Sequence, residues 1–194
     1  MQDGHPKMKI CVSGAAEMSH CQTTRTAEIA RELGREIAKQ KAVLVTGATT
    51  GFPHWSAKGA KEAGGISIGL SPASSEKDHV DRYNLPLDYL DLIIFTGFGY
   101  AGRNLLLTRS ADAIIVGCGR MGTINEFTIA FEDNKPIGVL EGDWTTDELI
   151  ERIVRESRRG PGKIVYDSDP KKLVEKVIAL IKKDKERLNG KGVS

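Results

Sequence analysis

The chain predicts an α/β fold, a Rossmann-like three-layer sandwich on a mainly parallel sheet of about six to seven strands. Three observations predict it. Short apolar runs alternate with segments of helical periodicity along most of the 194 residues. The runs are near-continuously apolar, as strands covered on both faces must be. Many of the 21 glycines fall just after those runs, where a strand turns into a helix.

Lys9–Ser13 is the first strand. Thr26–Lys39 follows as a helix, with Ala27, Ala30, Leu33 and Ile37 at helical spacing. Ala42–Thr46 is the second strand, ending in the small-residue segment Gly47–Gly51. A helix is expected over Trp55–Ala63, closed by Gly64-Gly65, then a third strand over Ile66–Leu70. Residues 71–86 are polar and carry two prolines, so they read as a long loop with at most a helical turn. Leu92–Phe95 and Ala113–Val116 are further strands flanking a helix over Gly102–Ser110. A helix over Thr123–Asp133, a strand at Ile137–Leu140, a helix at Thr146–Arg155 and a strand at Lys163–Tyr166 continue the alternation. A long final helix is expected over Pro170–Leu188, with an apolar stripe of Leu173, Val177, Leu180 and Ile181. This organisation reads as one domain over 8–188, a disordered N-terminus over 1–7 and a flexible tail over 189–194.

Net charge is +2, too small to point to nucleic acid or an anionic membrane. The basic run at Lys182–Arg187 suits a solvated helix end. No apolar run approaches the ~18 residues a membrane span requires, and residues 1–7 lack the apolar core of a signal peptide. A cytoplasmic protein without membrane or nucleic-acid partners is expected. Three cysteines without CxxC spacing argue against a disulfide framework and a structural zinc site. Cys118 reads as a small residue at a strand end.

Ligands of open parallel sheets sit beyond the C-terminal strand ends. Four small-residue loops leave such ends: 13–16, 46–51, 96–99 and 117–122. In Gly117-Cys118-Gly119-Arg120-Met121-Gly122-Thr123, small residues permit close backbone approach. The helix that follows offers free N–H groups and a partial positive charge to a phosphate. A plain strand-to-helix turn has the same composition. Thr123 can cap that helix. Glu126 lies one turn further, either facing the bound ligand or closing a capping box with Thr123. Arg103, at another helix start, can fork onto a phosphate or orient a carboxylate, or form a surface ion pair. Neither a P-loop nor a GxGxxG fingerprint is present. His54 suits a loop or the pocket wall, and Asp78 and His79 suit part of a lid. Phe127, Ile129 and Phe131 suit either a dimer interface or the core.

Together these residues resemble the LONELY GUY (LOG) family of cytokinin riboside 5′-monophosphate phosphoribohydrolases, long mislabelled as lysine decarboxylases. The family's Arg segment, Ala-Asp-Ala strand opening and PGGxGTxxE motif match Arg103-Asn104, Ala111-Asp112-Ala113 and Cys118–Glu126 without a gap. The stretch 47–65 is similar to the family's GGGxxGLMG segment and its helix. The resemblance covers about residues 8–155. It departs at Cys118 and Arg120 within PGG, at Thr46 and Ala48 within GGG, and at Phe52-Pro53-His54 in place of LMG. Residues 71–83 have no counterpart in the hydrolases. In these respects the chain is similar to a divergent branch, near molybdenum-cofactor carrier proteins that bind a phosphorylated pterin without catalysis.

The resemblance implies Arg103 and Glu126 as the catalytic pair. It implies Gly14, Gly47, Gly51, Gly119, Arg120, Met121, Gly122 and Thr123 as the nucleotide-binding set, with no metal and no cofactor. The partner implied is a nucleoside monophosphate or a related phosphorylated small molecule. The implied reaction is hydrolysis of a purine nucleoside 5′-monophosphate to base and ribose 5-phosphate, in a homodimer or higher homo-oligomer. The alternative is a non-catalytic carrier or sensor of a nucleotide or phosphorylated pterin.

Overall fold

The computed structural model describes residues 6–21 and 25–190. Seven strands form one all-parallel sheet: β1 (Lys9–Ser13), β2 (Val43–Thr46), β3 (Ser67–Ser71), β4 (Leu92–Phe95), β5 (Ala113–Val116), β6 (Ile137–Leu140) and β7 (Ile164–Asp167), ordered 4-3-2-1-5-6-7. Connections run outward from β1 on one side and from β5 on the other. The β1–β5 seam is therefore the topological switch point. Register places Ser13 beside Val116, so the loops after both strands emerge together.

Burial follows position in the sheet. The central strands β2, β5 and β6 are buried throughout, while the edge strands β4 and β7 are only partly covered. Alternate residues serve opposite faces. Ile10, Val12, Ala113 and Ile115 pack toward α1 (Thr26–Lys39), α2 (Phe52–Glu62) and α6 (Pro170–Gly190). Cys11, Ile114 and Val116 pack toward α3 (Gly99–Ser110), α4 (Met121–Glu132) and α5 (Thr146–Ser157). Helices α1 and α2 approach backbone to backbone. A Cβ on Gly34 would strike the carbonyl of Ser56, and one on Gly59 the carbonyl of Arg31. Arg31 and Arg35 of α1 also share Glu62 of α2.

Several boundaries move. Helices α2, α3 and α4 each begin two or three residues before their expected starts. The α6 stripe is Leu173, Val174, Val177, Ile178 and Ile181, with Leu180 only half-buried. Phe127 is buried and Phe131 packs beside it, so these rings join the core. Of the expected terminal segments, residues 1–5 and 191–194 lie outside the described residues, while 189 and 190 extend α6. Among the described residues no helix is long and apolar enough to cross a membrane.

The long loop after β3 contains a short π-type turn, Asp78–Arg82. His79 is fully buried there. Its Nδ1 meets the Ser71 hydroxyl at 2.8 Å and its Nε2 meets the Pro86 carbonyl at 3.0 Å. A carbonyl only accepts, so Nε2 carries the proton and Nδ1 accepts from Ser71. His79 is thus a pin that fastens the loop to β3.

Candidate functional site

A cavity of about 520 Å³ opens over the C-terminal ends of β1, β2 and β5, at the switch point. That size suits a nucleotide-sized ligand. Its rim is formed by Gly14 and the residues after it, by Gly47 and Thr49, and by the start of α4. Its floor holds Arg103 and Glu126.

Arg103 and Glu126 are both 5% exposed, and Arg103 Nη1 lies 3.4 Å from Glu126 Oε1. Arg103 comes from the first turns of α3 and Glu126 from the second turn of α4. The Ser13 hydroxyl, at the end of β1, donates to Glu126 Oε2. With the Asn104 amide nitrogen facing Glu126, it donates to Oε1 at 2.9 Å and to the Tyr100 carbonyl at 3.0 Å. Strand β1 and helix α3 therefore converge on the carboxylate that α4 carries. Burial raises the Glu126 pKa, against the pull of the Arg103 charge and the Ser13 hydroxyl. Arg103 Nε is buried without a hydrogen-bond partner among the described residues. Orphaned buried donors are rare and concentrate where a fold serves something other than stability.

The backbone around the pair is drawn tight. A Cβ on Gly47 would collide with the Arg103 guanidinium. Ala48, at a position where the resembled motif has glycine, adopts φ +51°, the left-handed region that disfavours a side chain.

The capping expectation for Thr123 fails. Helix α4 starts at Met121 with Arg120 in the N-cap position and no side-chain cap, so Thr123 already lies inside the first turn. Glu126 therefore cannot close a capping box with it; its partners are Arg103, Ser13 and Asn104. Met121 and Gly122 are exposed at the helix start, where the free N–H groups point. Arg120 stands at the rim, 3.5 Å from Glu17, with 62% of its side chain exposed. Its guanidinium lines the cavity, so an anion bound there would compete with Glu17 for it.

The cavity brings together Gly14, Gly47, Arg103, Arg120–Thr123 and Glu126. Two candidates stand behind it. The Gly119 N–H donates to Thr146 Oγ1 at 2.8 Å, and the Gly119 carbonyl accepts from the same hydroxyl, so this peptide is already occupied. Gly51, at φ +71°, caps α2 and lies against the carbonyls of Ala15 and Ala16. His54 stacks edge-on with Trp55 and Tyr89 outside the cavity. Asp112 lies at the opposite end of β5, paired with Lys9. Sequence reasoning assigned no role to Ser13 or Asn104. A hydroxyl ending an otherwise apolar strand was the available signal for Ser13.

The cysteine reading is corrected. Cys21 and Cys118 form a disulfide across 97 residues, and only Cys11 is free among the three. The bond ties the loop after β1 to the loop after β5, beside the cavity. Its partners are remote in sequence, so spacing carried no sign of it.

An all-parallel sheet with a cavity at its switch point, walled by small-residue loops and a helix start, defines a Rossmann-like fold of the nucleotide-binding type. The chain belongs to the SLOG cluster4 family, whose pattern matches residues 7–174. It is 35% identical over 134 residues to an uncharacterized protein of Archaeoglobus fulgidus, covering 69% of this chain and 80% of that one. Among solved structures it is similar to the molybdenum cofactor binding protein of Rippkaea orientalis, with a TM-score of 0.71 and 30% identity over 92% of this chain and 97% of that one. It is likewise similar to the molybdenum cofactor carrier protein of Chlamydomonas reinhardtii, with a TM-score of 0.71 and 26% identity over 91% and 99%.

Proposed function

We propose that the cavity holds a phosphorylated small molecule, a nucleoside monophosphate or a phosphorylated pterin, with its phosphate at the start of α4. The observation that carries this reading is the uncapped helix start at Met121–Thr123, opening into a nucleotide-sized cavity with Arg120 beside it. Unpaired N–H groups, the helix dipole and an exposed guanidinium together favour a doubly charged anion. Likeness to a molybdenum cofactor binding protein over most of both chains supports the pterin form of the ligand.

Hydrolysis of a nucleoside monophosphate is the second reading, and the buried Arg103–Glu126 pair favours it. As the base leaves, positive charge develops at C1′, which a carboxylate stabilises. Burial holds the Glu126 carboxyl above the usual range, which suits it to trade a proton with the leaving base or the attacking water. Arg103 keeps the carboxylate oriented and limits that rise. A carrier needs the same pair only as the floor of the cavity.

One experiment separates the two. The purified protein is incubated with AMP and a panel of nucleoside 5′-monophosphates, and free base and ribose 5-phosphate are scored by chromatography, alongside native mass spectrometry for a retained ligand. Base release that Glu126→Gln lowers by a factor of about 100 or more supports hydrolysis. A retained phosphorylated pterin without base release supports the carrier. Neither release nor binding of any phosphorylated ligand overturns both.

A further inference from the structure

Beside the cavity, a second constellation is independent of the reading above. His20 and Cys21 lie in the loop after β1, and Cys118 lies in the loop after β5. The His20 Nε2 atom stands 3.9 Å from the Cys21 sulfur and 3.7 Å from the Cys118 sulfur. In a tetrahedral site with metal–sulfur bonds of about 2.3 Å and a metal–nitrogen bond of about 2.0 Å, nitrogen and sulfur ligands stand about 3.5 Å apart. The imidazole is thus already placed for both sulfurs. Only the two sulfurs must separate, to about 3.8 Å at the same bond lengths. Their Cα atoms are 5.9 Å apart, so side-chain rotation suffices without moving the strands.

We propose that His20, Cys21 and Cys118 form a redox-gated site for a thiophilic divalent cation of the zinc class. A dithiol reductant opens the disulfide, giving two cysteine thiols and one oxidised reductant disulfide. The cation then binds both sulfurs as thiolates and the neutral imidazole, releasing two protons. In the reverse direction a small-molecule disulfide accepts two electrons from the thiolates, restores the Cys21–Cys118 bond and expels the ion.

Electrostatics favours this ligand set. Both cysteines are fully buried in the apolar core cluster that includes Phe52 and Trp144. An isolated ion is costly there, but one divalent cation with two thiolates is neutral. His20 is exposed, so the cation reaches the site from the imidazole side, and water or an atom of a bound molecule completes a tetrahedral set. The remaining cysteine, Cys11, does not compete. Burial and the nearby Glu126 charge raise its pKa, leaving an inert thiol.

The test is cobalt(II) titration of the full chain, oxidised and after reduction with a phosphine, followed by zinc displacement. Reduced protein is expected to bind one cobalt ion with the thiolate charge-transfer band and visible bands of a tetrahedral centre, and zinc to erase them. Oxidised protein is expected to show neither. Cys118→Ser is expected to abolish the bands. His20→Ala, at an exposed position outside the core, weakens cobalt binding at least about tenfold, since loss even of groups that merely support a ligand costs that much. Cys11→Ala leaves the bands in place. Bands absent from the reduced wild type, present in the oxidised protein, or unchanged in His20→Ala would each overturn the site.

Discussion

Two cavities of nearly equal size lie at opposite ends of the sheet. One, of about 580 Å³, opens at the N-terminal ends of β1, β5 and β6, and the other, of about 520 Å³, at the C-terminal ends. The first is crowded with charge, yet each of its carboxylates is already matched. Asp112 takes Lys9, Asp133 takes Arg109, and Asp184 takes Lys163. The Lys135 ammonium donates to the Ala111 carbonyl at 2.6 Å. In the second cavity the charged pair is nearly sealed, one donor is orphaned, and a helix start is uncapped. Volume and charge count do not distinguish the two. What does is whether polar groups are spent on one another or left without a partner.

The largest expected effect is on the sealed pair. Arg103→Ala strands Glu126 as a buried charge and should cost about 3–5 kcal/mol at neutral pH, read by urea denaturation. The cost should shrink in acid. The Glu126 pKa is raised above its unfolded value of 4.5, so the folded state holds the proton more tightly. The stability this linkage contributes is full below pH 4.5 and is lost as pH rises through the raised folded value. A penalty that does not vary with pH would mean that Arg103 acts there through packing alone.

Arg120→Ala should move stability by less than about 0.5 kcal/mol, because the side chain is largely exposed. It should weaken binding of a phosphorylated ligand roughly fivefold and flatten the salt dependence of that binding, as isothermal calorimetry at two ionic strengths would show. Unchanged affinity would assign the phosphate to the helix start alone. Asp112→Asn, at the other cavity, should cost about 1 kcal/mol and leave ligand affinity untouched. A change in affinity there would erase the contrast between the two ends.

Strands β1, β4, β5 and β6 were legible to the residue, because each is a short, mostly apolar run bounded by polar or small residues, whether it lies buried at the centre or half-covered at the edge like β4. Helix starts were less legible. The first turns of α2, α3 and α4 border the loops around the cavity, so apolar periodicity is silent there, and Gly99, Gly122 and their neighbours look like loop. Pro53 was a readable sign, since proline is tolerated in a first helical turn. Arg103 and Glu126 were each singled out from their places near helix starts, and a motif resemblance then joined them as a pair. Ser13, Asn104 and the Cys21–Cys118 bond arise from register and from loops that meet only in three dimensions.

The backbone contact between α1 and α2 has an evolutionary reading. Gly34 and Gly59 leave that wall without side chains to exchange, and α2 carries the Gly47–Gly51 loop at its head. A library randomised across the whole chain and sorted for folding should return these two positions almost invariant, while exposed positions of α3 such as Leu105 and Leu106 diversify freely. New ligand preferences would then arise from the side chains that line the cavity itself, such as Glu17, Thr49, Tyr100 and Met121, rather than from the α1–α2 packing behind it.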